Sequence, residues 1–122
     1  MDLLTSLPEF KSADNVGIYL SGLKEACTDR IVALLFQERK SCFVPWWNSD
    51  YMELIKMDSI MEIRNLENNK MNIPMPSFIL GREKAFNETI LDVLVIPCLA
   101  FNHNGNRLGH GKGFVLCNLK VL

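Results

Sequence analysis

The 122 residues are enough for one domain built on one hydrophobic core. Apolar residues at 48% exclude a disordered chain, and a net charge of −1 with no basic stripe argues against a nucleic-acid partner. The longest apolar stretch, Val93 to Phe101, is about half of what spans a bilayer, and the start of the chain has no basic segment ahead of an apolar run, so the expectation is a cytoplasmic protein with no membrane contact.

In chain order, the short apolar run Val16-Gly17-Ile18-Tyr19-Leu20, stopped by Ser21-Gly22, reads as a buried strand. Thr28 reads as a helix N-cap with Asp29 in the first turn, and Ile31, Val32, Leu34, Leu35 and Phe36 share one broad helical face. Lys40 puts a positive charge at the end of that helix. Cys42-Phe43-Val44-Pro45 is a second strand, so strand, helix and strand open a parallel α/β unit. Tyr51 to Met57 reads as a further strand and Ser59 to Leu66 as a short helix. The segment Asn72-Ile73-Pro74-Met75-Pro76 must be extended, because each proline disfavours helix at itself and at its predecessor.

The clearest strand is Asp92 to Pro97, a continuous run of branched residues suited to burial on both faces. Leu99-Ala100-Phe101 and Asn106-Arg107-Leu108 then flank His103-Asn104-Gly105, and Asn-Gly there fits a hairpin turn, since both residues tolerate positive φ. The four cysteines (Cys27, Cys42, Cys98, Cys117) have no paired short spacing of the kind zinc sites use, and read as buried thiols of a reducing compartment. His103 and His110 lack an evident carboxylate to orient them and read as exposed.

Gly109-His110-Gly111-Lys112-Gly113-Phe114 is the segment with chemistry in it. Alternating glycines expose several backbone N–H groups to one anion, Lys112 adds a point charge, and Arg107 adds a fork that matches phosphate oxygens. The spacing fits neither the Walker A loop nor the dinucleotide fingerprint, so pattern alone leaves a phosphate loop and a plain turn both open.

Ile96 to Asn102 and Gly105 to Phe114 resemble the signature of the 5-formyltetrahydrofolate cyclo-ligase family, P-G-L-A-F-D followed by G-x-R-L-G-x-G-x-G-Y-Y-D. Upstream, Tyr19-Leu20-Ser21 with Glu25 and Thr28, then Lys40 to Pro45, then Asn72 to Pro76, resemble further family segments in the same order, so the likeness runs from about residue 14 to 114. It implies a single α/β domain over residues 1–122 with a mostly parallel sheet and flanking helices. Residues 1–13 would be an N-terminal remnant, and 115–122 a divergent tail. It also implies a reaction in which 5-formyltetrahydrofolate and ATP, with magnesium, give 5,10-methenyltetrahydrofolate, ADP and phosphate. Arg107, Gly109, Gly111, Lys112 and Gly113 would hold ATP, with Arg107 and Lys112 assisting phosphoryl transfer. Tyr19, Leu20, Glu25, Met52 and Phe114 would meet the folate.

Each of these has a plainer reading. Tyr19 and Leu20 at a strand end fit core packing, Glu25 a solvated charge, Met52 a gap-filler, and Trp46-Trp47 surface packing or a protein contact. The sequence also departs from the resemblance. Val115-Leu116 stand where the family continues with Tyr and a magnesium-binding Asp, Cys98 replaces a glycine, Asn102 an aspartate, and Met71 stands where some members carry tryptophan. A basic helix would precede the match, and further elements would follow it. Without them the sheet would need a protein partner to cover it. A protein that keeps the folate or nucleotide pocket without turnover is therefore the alternative expectation.

Overall fold

A computed structural model of the chain describes residues 2–21, 27–70, 73–76, 81–85, 91–97 and 100–108. Two short helices, α1 (Asp2–Ser6) and α2 (Pro8–Lys11), open it in a stretch for which the sequence indicated no element. Pro8 suits the first turn of α2, where its missing N–H goes unneeded, and the helix buries Phe10. Strand β1 (Asn15–Ile18), helix α3 (Asp29–Gln37) and strand β2 (Ser41–Trp47) form the expected parallel unit. Strand β3 (Met52–Met57) returns antiparallel to β2, and helix α4 (Ile60–Arg64) follows it. Strand β4 (Val93–Val95) then joins the free side of β1 in parallel.

The sheet order is β3-β2-β1-β4, with two parallel pairings and one antiparallel, so the expected mostly parallel α/β sheet is present. β1 lies in the middle, and alternation along it divides the interior. Val16 and Ile18 face one layer with Cys42, Val44 and Met57, packed with Phe10, Ile31, Val32 and Leu35 from the helices. Gly17 faces the other, where Phe43, Leu54 and Ala85 form a smaller cluster joined by Met52, Leu91 and Leu94. A Cβ built on Gly17 would lie 2.8 Å from Leu94 Cδ1, 3.1 Å from Leu91 Cδ1 and 3.3 Å from Leu54 Cδ1, so three leucines occupy the room a side chain would take.

The ends of the elements differ in detail from the sequence reading. α3 stops in a Schellman arrangement, with Lys40 N–H donating to Leu35 O at 2.8 Å and Arg39 N–H to Phe36 O at 3.1 Å. Arg39 takes the left-handed conformation there, at φ 58°, where glycine is usual. Lys40 does not simply face the helix end. Its Nζ donates to the carbonyls of Lys11 at 3.0 Å and Ala13 at 2.6 Å, and sits over the Phe10 ring, pinning α2 to the sheet. Ser59 caps α4, accepting from Glu62 N–H at 3.2 Å. Arg82 pairs with Glu62 and reaches the Lys56 carbonyl, tying the 81–85 segment to α4 and β3.

At the start of β1, the Asp92 carboxylate accepts from both Asp14 N–H and Asn15 N–H at 2.9 Å, while Asp92 N–H donates to Asn15 O at 2.8 Å. The Asn15 amide, then that of Asp14, hold this carboxyl below the ordinary carboxylate range, with the Lys40 charge adding to the effect. Residues 73–76 of the segment read as extended pair back on residues 67–69, a pairing the prolines did not foretell, and Asn72 lies outside the described residues. The Asn104-Gly105 hairpin forms between β5 (Ala100–Phe101) and β6 (Arg107–Leu108), but only Gly105 of the two has positive φ, at 89°. Asn102 explains this. Its Oδ1 accepts from Asn104 N–H and Asn106 N–H at 3.0 Å, and its carbonyl accepts from Gly105 N–H at 3.2 Å, so the turn closes one residue earlier than an Asn-Gly pair would.

Of the cysteines, Cys42 is buried as expected, and desolvation pushes its thiol up to about 12. Cys27 is exposed instead, because it precedes α3 outside the core. Cys98 and Cys117 lie outside the described residues, as do His110 and Met71. His103 is exposed at the turn tip, as read.

Candidate functional site

Three parallel strands point to one edge of the sheet: β1 and β4 end level there, at Ile18 and Val95, and β2 runs three residues further, to Trp47. Because β3 runs the other way and its Met52 pairs with Trp47, the start of β3 lies on the same edge. The C-terminal edge of parallel strands is where open α/β sheets take ligands, since the chain leaves it in loops and helices enter with their amide ends. Tyr19 and Leu20 continue β1 past this edge, and Met52 stands across β2 from them. The structure therefore brings these three of the residues singled out by the sequence to one rim.

Their surroundings differ. Leu20 is buried and belongs to the main core, so its packing follows the plainer reading. Tyr19 is half-buried, and its carbonyl accepts a 2.9 Å hydrogen bond from Thr28 Oγ1. Met52 is half-buried against the Phe43, Leu54 and Ala85 cluster. Beside it, the turn from β2 to β3 is braced by Asn48. Its Oδ1 accepts from Asp50 N–H at 2.8 Å and Tyr51 N–H at 2.9 Å, and its own N–H donates to Tyr51 O at 3.0 Å. Trp46 packs its ring against Tyr51 with centroids 5.5 Å apart, so that tryptophan is engaged in local packing, as the plainer reading held.

Two features of the rim were not legible in the sequence. Glu53 is only 5% exposed although it follows Met52 directly, and one carboxylate oxygen accepts from Leu54 N–H at 3.0 Å. An acidic residue in an alternating strand reads as solvent-facing, so no sequence signal marks its burial. Thr28 precedes α3 as expected, yet its hydroxyl caps nothing in the helix. It bonds to the strand end instead, which periodicity cannot foresee.

Arg107 is placed by its backbone in β6, paired through Phe101 with β5, and the hairpin follows the C-terminal end of β4. The phosphate loop of the sequence reading would therefore leave from a hairpin connected to the same edge. Gly109, Gly111, Lys112, Gly113 and Phe114 lie outside the described residues, and so does Glu25. The chemistry of Arg107, three glycines and Lys112 suits a polyphosphate, through amides and two fixed positive charges. Magnesium is different. Among the described residues no three His, Cys, Asp or Glu side chains come together as a metal site. Val115-Leu116 beyond the glycine loop offer a hard cation no oxygen from their side chains. Neither the described residues nor Val115-Leu116 supply a set of side-chain oxygens that fits that ion.

An α/β protein with a mostly parallel four-stranded sheet is the class these features define. The profile of the 5-formyltetrahydrofolate cyclo-ligase family matches residues 2–122, and the chain belongs to that family. A 5-formyltetrahydrofolate cyclo-ligase of Mus musculus is 33% identical over 114 residues, 92% of this chain and 56% of that protein. A probable 5-formyltetrahydrofolate cyclo-ligase of Schizosaccharomyces pombe is 33% identical over 113 residues, 91% of this chain and 54% of that protein. The NMR structure of Aquifex aeolicus 5,10-methenyltetrahydrofolate synthetase superposes with a TM-score of 0.75 at 25% identity, covering 98% of this chain and 59% of that one. The chain thus spans about half the length of the curated relatives it matches.

Proposed function

We propose that this chain acts as a 5-formyltetrahydrofolate cyclo-ligase, taking the folate at the rim of Tyr19, Leu20 and Met52 and ATP at the 107–113 loop. The observation that carries the reading is that two separate folate-type segments, Tyr19-Leu20 after β1 and Met52 at the start of β3, lie at the C-terminal edge, in a chain of this family. Glu25 and Phe114 complete the folate side in this proposal. A formamide oxygen leaves poorly, and ATP supplies the phosphoryl group that makes it a leaving group. The neighbouring folate nitrogen then bonds to the formyl carbon, the C–O bond breaks, and phosphate departs with that oxygen and the proton from the nitrogen, alongside ADP.

In this reading the protein's own contribution is placement and charge. Arg107 grips phosphate oxygens in a fork, and the amides around Gly109, Gly111 and Gly113 hold the chain of phosphates. Lys112 offsets charge on the phosphoryl group in transit, while the apolar rim excludes water from the activated formyl carbon. The proposed setting is the cytoplasm; among the described residues no helix is long and apolar enough to cross a membrane.

Val115 and Leu116, where the family has its metal-binding aspartate, favour a second reading: a folate- and nucleotide-binding protein that does not turn over and serves a protein partner at the sheet. One experiment separates the two. The purified chain is incubated with 5-formyltetrahydrofolate, ATP and magnesium, and the near-ultraviolet absorbance of the methenyl product is followed. The cyclo-ligase reading expects product from the wild type and a loss of about 100-fold or more in Lys112→Ala. Folded wild-type protein that forms no product would overturn it in favour of binding alone.

A further inference from the structure

Thr28 is fully buried, and its polar groups reach three residues in two segments, the end of β1 and the first turn of α3. Its Oγ1 donates to the Tyr19 carbonyl at 2.9 Å and its N–H to Ser21 Oγ at 3.3 Å, while its carbonyl accepts from Val32 N–H at 2.9 Å in the first turn of α3. A threonine in this position ordinarily turns its hydroxyl onto an amide of the first helical turn. Here α3 goes without that bond. The hydroxyl instead holds the peptide that leaves β1, just where the chain passes from the sheet onto the rim.

The departure has a direction. A hydroxyl that only served stability could have capped its own helix. Aimed at Tyr19, it fixes the plane of the peptide between Tyr19 and Leu20, and so the orientation of the two side chains that flank that peptide. Local preferences set aside in this way gather at functional sites, where geometry matters more than the stability of one element. We infer that Thr28 is a positioning residue for the folate side of the site, acting through the Tyr19 carbonyl to orient the Tyr19–Leu20 strand end. The inference rests on the folate reading of that rim.

The test is a pair of titrations, 5-formyltetrahydrofolate and separately ATP, on wild type, Thr28→Val and Thr28→Ser, with melting temperatures measured alongside. Thr28→Val keeps the shape and removes the hydroxyl; Thr28→Ser keeps the hydroxyl. The expected result is folate affinity about tenfold weaker in Thr28→Val, the effect of one buried hydrogen bond, and within about twofold of wild type in Thr28→Ser. ATP affinity stays unchanged in both. A lower melting temperature in Thr28→Val with wild-type folate affinity would overturn the inference, as would equal weakening for both ligands. Wild type that binds no folate would overturn the proposed function, and this inference with it. Should Thr28→Val not fold, Thr28→Cys carries the test by putting a weak S–H donor where the hydroxyl stood. A folate-selective loss of about two- to threefold is expected there, and unchanged folate affinity refutes the inference.

Discussion

Replacing Gly17 with alanine sets a methyl group among three leucine methyls that already fill its place. The added Cβ would lie 2.8 Å from Leu94 Cδ1, 3.1 Å from Leu91 Cδ1 and 3.3 Å from Leu54 Cδ1. A carbon–carbon contact is comfortable at about 3.5–4.0 Å, so the first two leucines must each withdraw by several tenths of an ångström. Leu54 is buried and has little room, whereas Leu91 and Leu94 are half-buried and can yield outward. Overpacking of this kind costs about 1–3 kcal/mol. Alanine recovers about 0.5–1 kcal/mol of backbone entropy relative to glycine, which leaves a net loss centred on about 1 kcal/mol.

Urea unfolding followed by far-ultraviolet dichroism would measure that loss, and the pairing with Leu94→Ala would identify its cause. Leu94→Ala alone removes a packed side chain and is destabilising. In the double variant the new methyl occupies the space Leu94 Cδ1 has left, so the two effects should couple favourably by about 1 kcal/mol. Additive effects, or a Gly17→Ala variant as stable as the wild type, would refute the argument that these leucines are what require glycine at 17.

Arg39→Gly should stabilise the chain by about 0.5–1 kcal/mol, because relief of the left-handed strain at φ 58° exceeds the extra entropy of an unfolded glycine; a lower urea midpoint would contradict this. The lowered pKa of Asp92 gives a contribution fully present above the unfolded carboxylate value, about 3.9, and lost as pH falls through the lower folded value. Asp92→Asn should therefore be less stable than wild type at pH 7 and converge with it in strong acid. Parallel curves of urea midpoint against pH would show that the two amide contacts at 2.9 Å carry no charge-dependent stability.

The strand–helix–strand opening was readable in the residues themselves. Ile31, Val32 and Leu35 recur at helical spacing, Cys42 to Val44 form a short apolar run, and both patterns are local consequences of burying one face. The prolines at 74 and 76 dictated extended chain wherever they came to lie, and the order of short motifs pointed to the family. Boundaries were less legible: the strand read as 16–20 ends at Ile18, and that read as 92–97 spans Val93–Val95, since their shared ladder closes at the Ile18–Val95 pair, a limit set by the partner strand and not by either sequence.

Other features depended on residues far apart in the chain. Nothing near Val16 says that its neighbours are Cys42 on one side and Val93 on the other, and that pairing is what places Tyr19 and Leu20 on the same edge as Met52. Gly17 reads as a weak spot in a strand until the leucines packed over it are known. Thr28 reads as a cap until the carbonyl of Tyr19 arrives beside it, and Glu53 reads as a surface charge until the sheet and its covering layers close around it. Sequence alone determined which segments could be helix or strand and which chemistry the glycine-rich segment carries, since both follow from side-chain type and spacing. Tertiary structure decided which strand ends share a rim and where each polar group found its partner, because hydrogen bonds and packing act through space and take no account of separation along the chain.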